Sequence, residues 1–167
     1  HGTAASSEGE GEGAPDGEPR RRSAQAMAAQ SLASVEFLDA SAQTWLPGPR
    51  CRFARRAAAA ASLGSHIFLL GGFDNSGSAM SDVEVLDLSH LGRRRGAAAT
   101  WAPAPPLQEA RSWAAATSVL GYVYVVGGAA DGVRDLASVE RYALGAQAWE
   151  RLESLTIPRR AACAVSV

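Results

Sequence analysis

From Ser34 onward, bulky apolar residues fall in short runs closed by glycine. Ile67-Phe68-Leu69-Leu70 leads into Gly71-Gly72, and Tyr122 to Val126 leads into Gly127-Gly128. Runs of this length, ended by glycines, predict strands buried on both faces. Other segments alternate: Val83-Glu84-Val85 is followed by Leu86-Asp87-Leu88, the pattern of a strand with one wetter face. The alanine runs Ala57 to Ala61 and Ala114 to Ala116 favour helix by intrinsic propensity. Gly64 and Gly121 follow them closely, however, and their place in the recurring pattern predicts strands there too. Residues 1 to 31 hold no Val, Ile, Leu, Phe, Tyr or Trp, so they bury too little surface to offset their ordering entropy and are expected to be disordered.

Four landmarks recur along the patterned stretch. An arginine enters an alanine-rich segment at Arg55-Arg56-Ala57, Arg111-Ser112-Trp113 and Arg159-Arg160-Ala161, in steps of 56 and then 48 residues. A tryptophan follows a polar turn at Trp45, Trp101 and Trp149, in the same two steps, and the glycine doublets are also 56 apart. Val-Glu opens the alternating segments at Val35-Glu36, Val83-Glu84 and Val139-Glu140, in steps of 48 and then 56. The order reverses because Val83 lies eighteen residues from Trp101, whereas Val35 to Trp45 and Val139 to Trp149 are each ten. An eight-residue insertion carrying Arg93-Arg94-Arg95 is therefore predicted as a loop around 89–99. Self-similarity at a period of about 50 residues is the signature of a repeat architecture. Each unit supplies four short strands.

These units resemble the kelch repeat, which carries a Gly-Gly doublet, a downstream aromatic and a later tryptophan. The resemblance runs from Ser34 to Val167 and implies an all-β fold, a partial β-propeller of four-stranded blades. It divides the chain into a disordered tail (1–33), the last two strands of one blade (34–54), a blade with the 89–99 insertion (55–108), a second blade (109–156) and the first strand of a further blade (157–167). The alanine-rich strands then lie innermost, where small side chains suit crowding around the axis. Gly71, Gly72, Gly127 and Gly128 are read as allowing a backbone conformation or a close approach that a Cβ would block. Trp45, Trp101 and Trp149 are expected to bury broad faces between blades, each worth about 3 to 5 kcal/mol. The third-strand aromatic of the family is Tyr142 in one unit but Leu38 and Leu86 in the others. Its packing on tryptophan is therefore expected only between Tyr142 and Trp149. A propeller closes with about four to eight blades, so further blades from a longer protein are expected to complete this one. Residues 34–167 alone are expected to associate or stay loosely packed.

Composition narrows the chemistry. A hydrophobic content of 47% and a charged content of 20% are ordinary for a globular chain. All sixteen basic residues are arginine, which leaves no lysine for a Schiff base or a phosphate loop. The apolar stretch Ala57 to Phe73 is interrupted by Ser62, Ser65 and His66 and is short for a bilayer span of about 20 residues, so no membrane association is expected. Arg20-Arg21-Arg22 is too small an electrostatic footprint to predict nucleic-acid binding. His1, His66 and His90 and the tyrosines Tyr122, Tyr124 and Tyr142 form no cluster of the imidazoles and phenols that a copper site needs. No Ser-His-Asp constellation is supported by a motif. Cys51 and Cys163 lack Cys or His neighbours at metal-ligand spacing and are read as a loop thiol and a buried strand thiol. No catalytic residue, metal or cofactor is expected, and the cysteine usage fits a reducing, cytoplasmic compartment.

Function then falls to the loops of a rigid scaffold. The resemblance implies that partners bind the face made by connections between second and third strands, together with the entries into each first strand. Those are Asp74-Asn75-Ser76, the segment Asp131 to Asp135 with Arg134, and the entries Arg55-Arg56, Arg111-Ser112 and Arg159-Arg160. Trp113 lies outside the tryptophan phase and is placed at the channel mouth. Converging guanidinium groups suit an acidic peptide, because each pairs a carboxylate in bidentate fashion. Alternatively, the arginines pair with Val-Glu carboxylates of neighbouring strands and serve the scaffold. The expected function is a non-catalytic protein–protein interaction module, a scaffold or adaptor for a protein or peptide partner. The resemblance also admits part of a propeller enzyme, such as a copper-radical oxidase with its catalytic residues elsewhere, and the substrate-recognition part of a cullin-type ubiquitin ligase adaptor.

Overall fold

A computed structural model describes residues 30–89 and 99–166. Among them the only regular elements are ten short strands: β1 (Glu36–Asp39), β2 (Thr44–Pro47), β3 (Ala59–Leu63), β4 (His66–Leu70), β5 (Val83–Asp87), β6 (Trp101–Ala104), β7 (Ala115–Val119), β8 (Tyr122–Val126), β9 (Val139–Ala143) and β10 (Glu150–Leu152). β3-β4-β5-β6 and β7-β8-β9-β10 form two four-stranded antiparallel meanders, and β1 pairs with β2 in a two-stranded sheet. These are two propeller blades preceded by the outer half of another. The alanine runs are indeed strands, because the glycine-closed apolar strands β4 and β8 offer them a full ladder: Ala59 faces Leu70, and Ala115 faces Val126.

β3 and β7 are the innermost strands and lie side by side. The Trp113 N–H donates to the Ala57 carbonyl at 2.9 Å, and at the other end of the strands Ser118 Oγ donates to the Ser62 carbonyl at 2.5 Å. Farther out, Phe68, Leu70, Val83 and Leu107 form one core with Val123, Val125, Tyr142 and Trp149 of the second blade. The Phe68 and Tyr142 rings meet edge-on at 5.9 Å, and Tyr142 stacks on Trp149 at 5.2 Å. Burial of side chains of this size stabilises by about 1.5–3 kcal/mol each, so the blade junction is the main source of cohesion.

The glycine doublets serve both purposes expected of them. Gly71 and Gly127 have φ of +57° and +62°, which side chains disfavour. A Cβ on Gly71 would stand 2.2 Å from the Arg111 carbonyl oxygen, and one on Gly127 would stand 2.4 Å from that of Arg159. The N–H groups of Gly72 and Gly128 donate to those same two carbonyls, at 2.9 and 2.8 Å. Each doublet thereby joins one blade to the entry of the next.

Several expectations are corrected. Residues 30–33 are not part of a disordered tail: Leu32 and Arg55 exchange backbone hydrogen bonds, and Ser31 is buried with its hydroxyl on the Phe73 carbonyl. Residues 1–29 and 90–98, which hold the rest of the tail and most of the insertion, lie outside the described residues. Residues 157–166 form turns and coil instead of a first strand, since no described strand pairs with them. Cys51 lies in a loop as expected and is buried there, whereas Cys163 is exposed in coil and is not a buried strand thiol. Cys51 takes the place that Leu107 takes one blade later, its N–H donating to the Ala33 carbonyl as that of Leu107 does to Ser81. The three tryptophans also differ. Trp149 is 2% exposed and Trp101 half-buried, but Trp45 is 65% exposed because no blade lies against it among the described residues.

Candidate partner-binding face

The paired arginines at the blade entries split into two populations, because successive side chains of an extended segment point to opposite sides. Arg55 and Arg111 turn inward. The Arg111 guanidinium donates to the carbonyls of Gly127 and Ser138 at 2.9 and 3.1 Å, and to Glu140 at 2.5 Å. Arg55 repeats the set with Gly71, Asp82 and Glu84. Each glutamate is completed by two backbone N–H donors from the connection that enters the blade. Arg52 and Phe53 serve Glu84 at 2.7 and 3.3 Å, and Gln108 and Glu109 serve Glu140 at the same distances. Burial draws the Arg111 guanidinium below the usual arginine value, against the opposing pull of Glu140. A charge taken this far from water needs such partners; the Arg111 Nε also donates to the Glu109 carbonyl, whereas the Arg55 Nε is buried without a partner among the described residues. Arg55, Arg111 and the buried Ser112 are therefore scaffold, and their assignment as partner contacts is corrected.

Arg56 and Arg160 turn outward and belong to a continuous row. The Arg56 guanidinium lies 5.3 Å from the centre of the Phe73 ring, and Phe73 meets Trp113 edge-on at 4.9 Å. The Arg160 guanidinium lies 5.4 Å from the Trp113 ring. Cation–ring contacts of this kind are worth about 0.5–1 kcal/mol at exposed sites. Arg56 is held by the Asp74 carbonyl at 2.7 Å and the Ser31 hydroxyl at 3.0 Å, with no carboxylate partner among the described residues. Arg160 is held by the Gly132 carbonyl at 2.7 Å and by Asp135 at 3.3 Å.

Trp113, 39% exposed, is fixed by its backbone. Its φ of +50° is matched by +52° at both Ala57 and Ala161, the equivalent entry positions. For a residue with a Cβ this conformation costs about 1–2 kcal/mol. A chain of hydrogen bonds holds it, from Trp113 N–H to Ala57 O and from Ala161 N–H to Trp113 O, at 2.9 and 2.8 Å. At the other two blades this place holds alanine, so the indole is the distinguishing side chain of this ring.

The acidic loop residues have local work. Asp74 Oδ1 accepts from the N–H groups of Ser76 and Ser78 and from the Ser76 hydroxyl, at 2.7–2.9 Å. These bonds, the Ser76 hydroxyl first, hold its carboxyl below the usual range. Asp131 accepts from the Arg134 and Val133 N–H groups at 2.6 and 3.0 Å, with the same effect, Arg134 first. Asn75 is exposed at the loop tip. Arg134 is exposed and pairs with Glu109 at 3.2 Å. Burial raises Glu109, but hydrogen bonds from Ser138 and Arg134 and the charges of Arg111 and Arg134 outweigh it and hold this carboxyl low. Arg159 sits at the third entry in register, its N–H on the Leu136 carbonyl at 3.0 Å, exposed and without a glutamate among the described residues. The structure thus brings Arg56, Trp113 and Arg160 into one row, whereas Arg134 pairs with Glu109. Phe73, which joins Arg56 to Trp113, was not singled out in the sequence, where its position after the second glycine is its only signal.

The architecture is that of a repeat β-propeller in which glycine doublets join successive blades and a buried Arg–Glu pair anchors the entry of each blade to its third strand. Residues 54–108 and 110–156 each match the kelch motif, and the chain belongs to the kelch family. Kelch repeats generally mediate protein–protein interaction. No curated protein matches the chain in sequence. A solved structure titled "Structure of YjhT" shares the fold with a TM-score of 0.65 at 16% identity, covering 78% of this chain and 41% of that one. The chain thus spans less than half the length of that protein.

Proposed function

We propose that this chain is a non-catalytic kelch interaction module that binds an acidic protein segment across the face bearing Arg56, Trp113 and Arg160. The row Arg56–Phe73–Trp113–Arg160 carries the reading. Two outward guanidinium groups flank a half-exposed indole whose backbone is pinned, a pre-organised combination of charge and apolar anchor. Arg56 spends its donors on neutral oxygens, so its charge is available to an incoming carboxylate. Burial and the charge of Glu84 push the Cys51 thiol up, the opposite of what a nucleophile requires. Free thiols at Cys51 and Cys163 suit a reducing, cytoplasmic setting.

An array of acidic and charge-reversed peptides, probed with the chain and with its Arg56→Glu, Arg160→Glu double variant, tests the proposal. The expected result is enrichment of acidic peptides and its loss, by about tenfold or more, in a variant whose thermal melt is unchanged. Equal retention of acidic and reversed peptides would overturn the reading.

A further inference from the structure

A pocket of about 250 Å³ opens on the second complete blade, where the connection entering the blade, the connection from β8 to β9 and the chain following β10 meet. Glu109, one of its lining residues, gathers three guanidinium groups. Its Oε2 accepts from the Ser138 hydroxyl at 2.7 Å and lies 3.9 Å from both Arg111 and Arg151, while its Oε1 accepts from Arg134 at 3.2 Å.

The internal repeat shows that the fold does not require this set. One blade earlier, Phe53, Ser78, Pro103 and Pro106 stand where Glu109, Arg134, Arg151 and Ser154 stand here. The backbone confirms the equivalence: Pro103 faces Glu84 as Arg151 faces Glu140, and the Phe53 N–H donates to Glu84 as that of Glu109 does to Glu140. Arg55 keeps its ion pair with Glu84 there without any of the polar set. Those four earlier residues are exposed with the second complete blade beside them, so this part of a blade is open surface of the repeat.

The charges in and around the pocket do not balance. Arg111 is matched by Glu140 at 2.5 Å, and Asp135, on the pocket wall, by Arg160 at 3.3 Å. Arg134 and Arg151 are left to share the single carboxylate of Glu109, which Ser138 also engages. Arg151 meets that carboxylate only at 3.9 Å, beyond hydrogen-bond reach. We propose that the pocket binds one further carboxylate, between Arg134 and Arg151. Planar guanidinium forks match a carboxylate in geometry, and its single charge balances the excess. A phosphate group, carrying about −1.5 to −2 at neutral pH, overshoots that balance beside Glu109 and is the poorer ligand. The carboxylate belongs to an acidic side chain or to a chain terminus of a partner. Because Arg160 holds Asp135, the pocket adjoins the row at Trp113 and offers a second contact next to it.

The arginine side-chain N–H signals of the full chain, followed by NMR at fixed ionic strength, test the site. Three probes are titrated: N-acetylglutamic acid α-amide for a side-chain carboxylate, N-acetylalanine for a terminal one, and inorganic phosphate. Saturable shifts are expected at Arg134 and Arg151 with a carboxylate probe, larger than at the exposed Arg52, and at lower concentration than with phosphate. The tighter carboxylate probe assigns the source. In Arg151→Gln, read at Arg134, affinity is expected to fall by about tenfold or more, with the near-ultraviolet signal of the stacked Tyr142 and Trp149 unchanged. Shifts at Arg134 and Arg151 no larger than at Arg52, phosphate bound as tightly as either carboxylate, or full affinity in Arg151→Gln would each overturn the proposal. All of these signals are read at the pocket, so none depends on whether acidic peptides bind across Trp113.

Discussion

Arg55 and Arg56 are adjacent and equally charged, yet one pairs with a buried carboxylate and the other, half-buried, lies across the outer side of the buried Phe73 ring. Alternation along an extended entry segment assigns the two roles, and Arg111 with Ser112 keeps the inward role while giving up the outward one. At the same scale, the aspartates of the loops are better understood as clamps on their own backbone than as partner contacts. Asp74, half-buried, and Asp131, exposed, hold their loops by accepting backbone N–H donors. Their folded values lie below the ordinary aspartate value of about 3.9. The stability they contribute is therefore present above that value and is lost as pH falls through the lower folded one. Carboxyl carbon NMR titration is expected to give midpoints below the ordinary value for both residues, with the amides of Ser76 and Arg134 shifting in step. Midpoints at or above it would contradict the clamp. The positions of the glycines and the third-strand tyrosine were legible from spacing, whereas Phe73 was not, since its role depends on a contact with Trp113 forty residues away.

Between elements, the Arg–Glu pair works as a rivet that sequence spacing proposes but does not decide. Both arginine roles were open on the page of the sequence, and only the burial of Glu84 and Glu140, at 1% exposure each, selects the scaffold role for Arg55 and Arg111. Glu36 stands at the same register in β1 and is exposed. Glu140→Gln removes one partner of a buried charge pair and is expected to cost about 3–5 kcal/mol in denaturant unfolding. Glu36→Gln is expected to stay within about 0.5 kcal/mol, as surface changes do. Similar losses for the two would contradict the rivet. The strand order, the alanine-rich inner strands and the doublets followed from period and phase. The exposure of Trp45, the exposure of Cys163 and the coil at 157–166 did not, because burial belongs to the neighbouring blade and not to a strand's own pattern.

At the scale of the molecule, the two complete blades present opposite ends of different character. One end carries the row of Arg56, Phe73, Trp113 and Arg160, and the other carries the β3–β4 and β7–β8 hairpin tips at Gly64 and Leu120, the latter 90% exposed. A rigid frame with chemistry concentrated in the connections at one end is what an interaction module needs, and kelch membership makes protein partners the general expectation. The measurement that bears most directly on this account is a chemical-shift map of the chain titrated with a glutamate-rich peptide selected from the array. The account predicts saturable shifts at the Trp113 indole N–H and at the side chains of Arg56 and Arg160, with Gly64 and Leu120 unmoved. Shifts centred on the hairpin tips, or none at Trp113 at saturation, would contradict it.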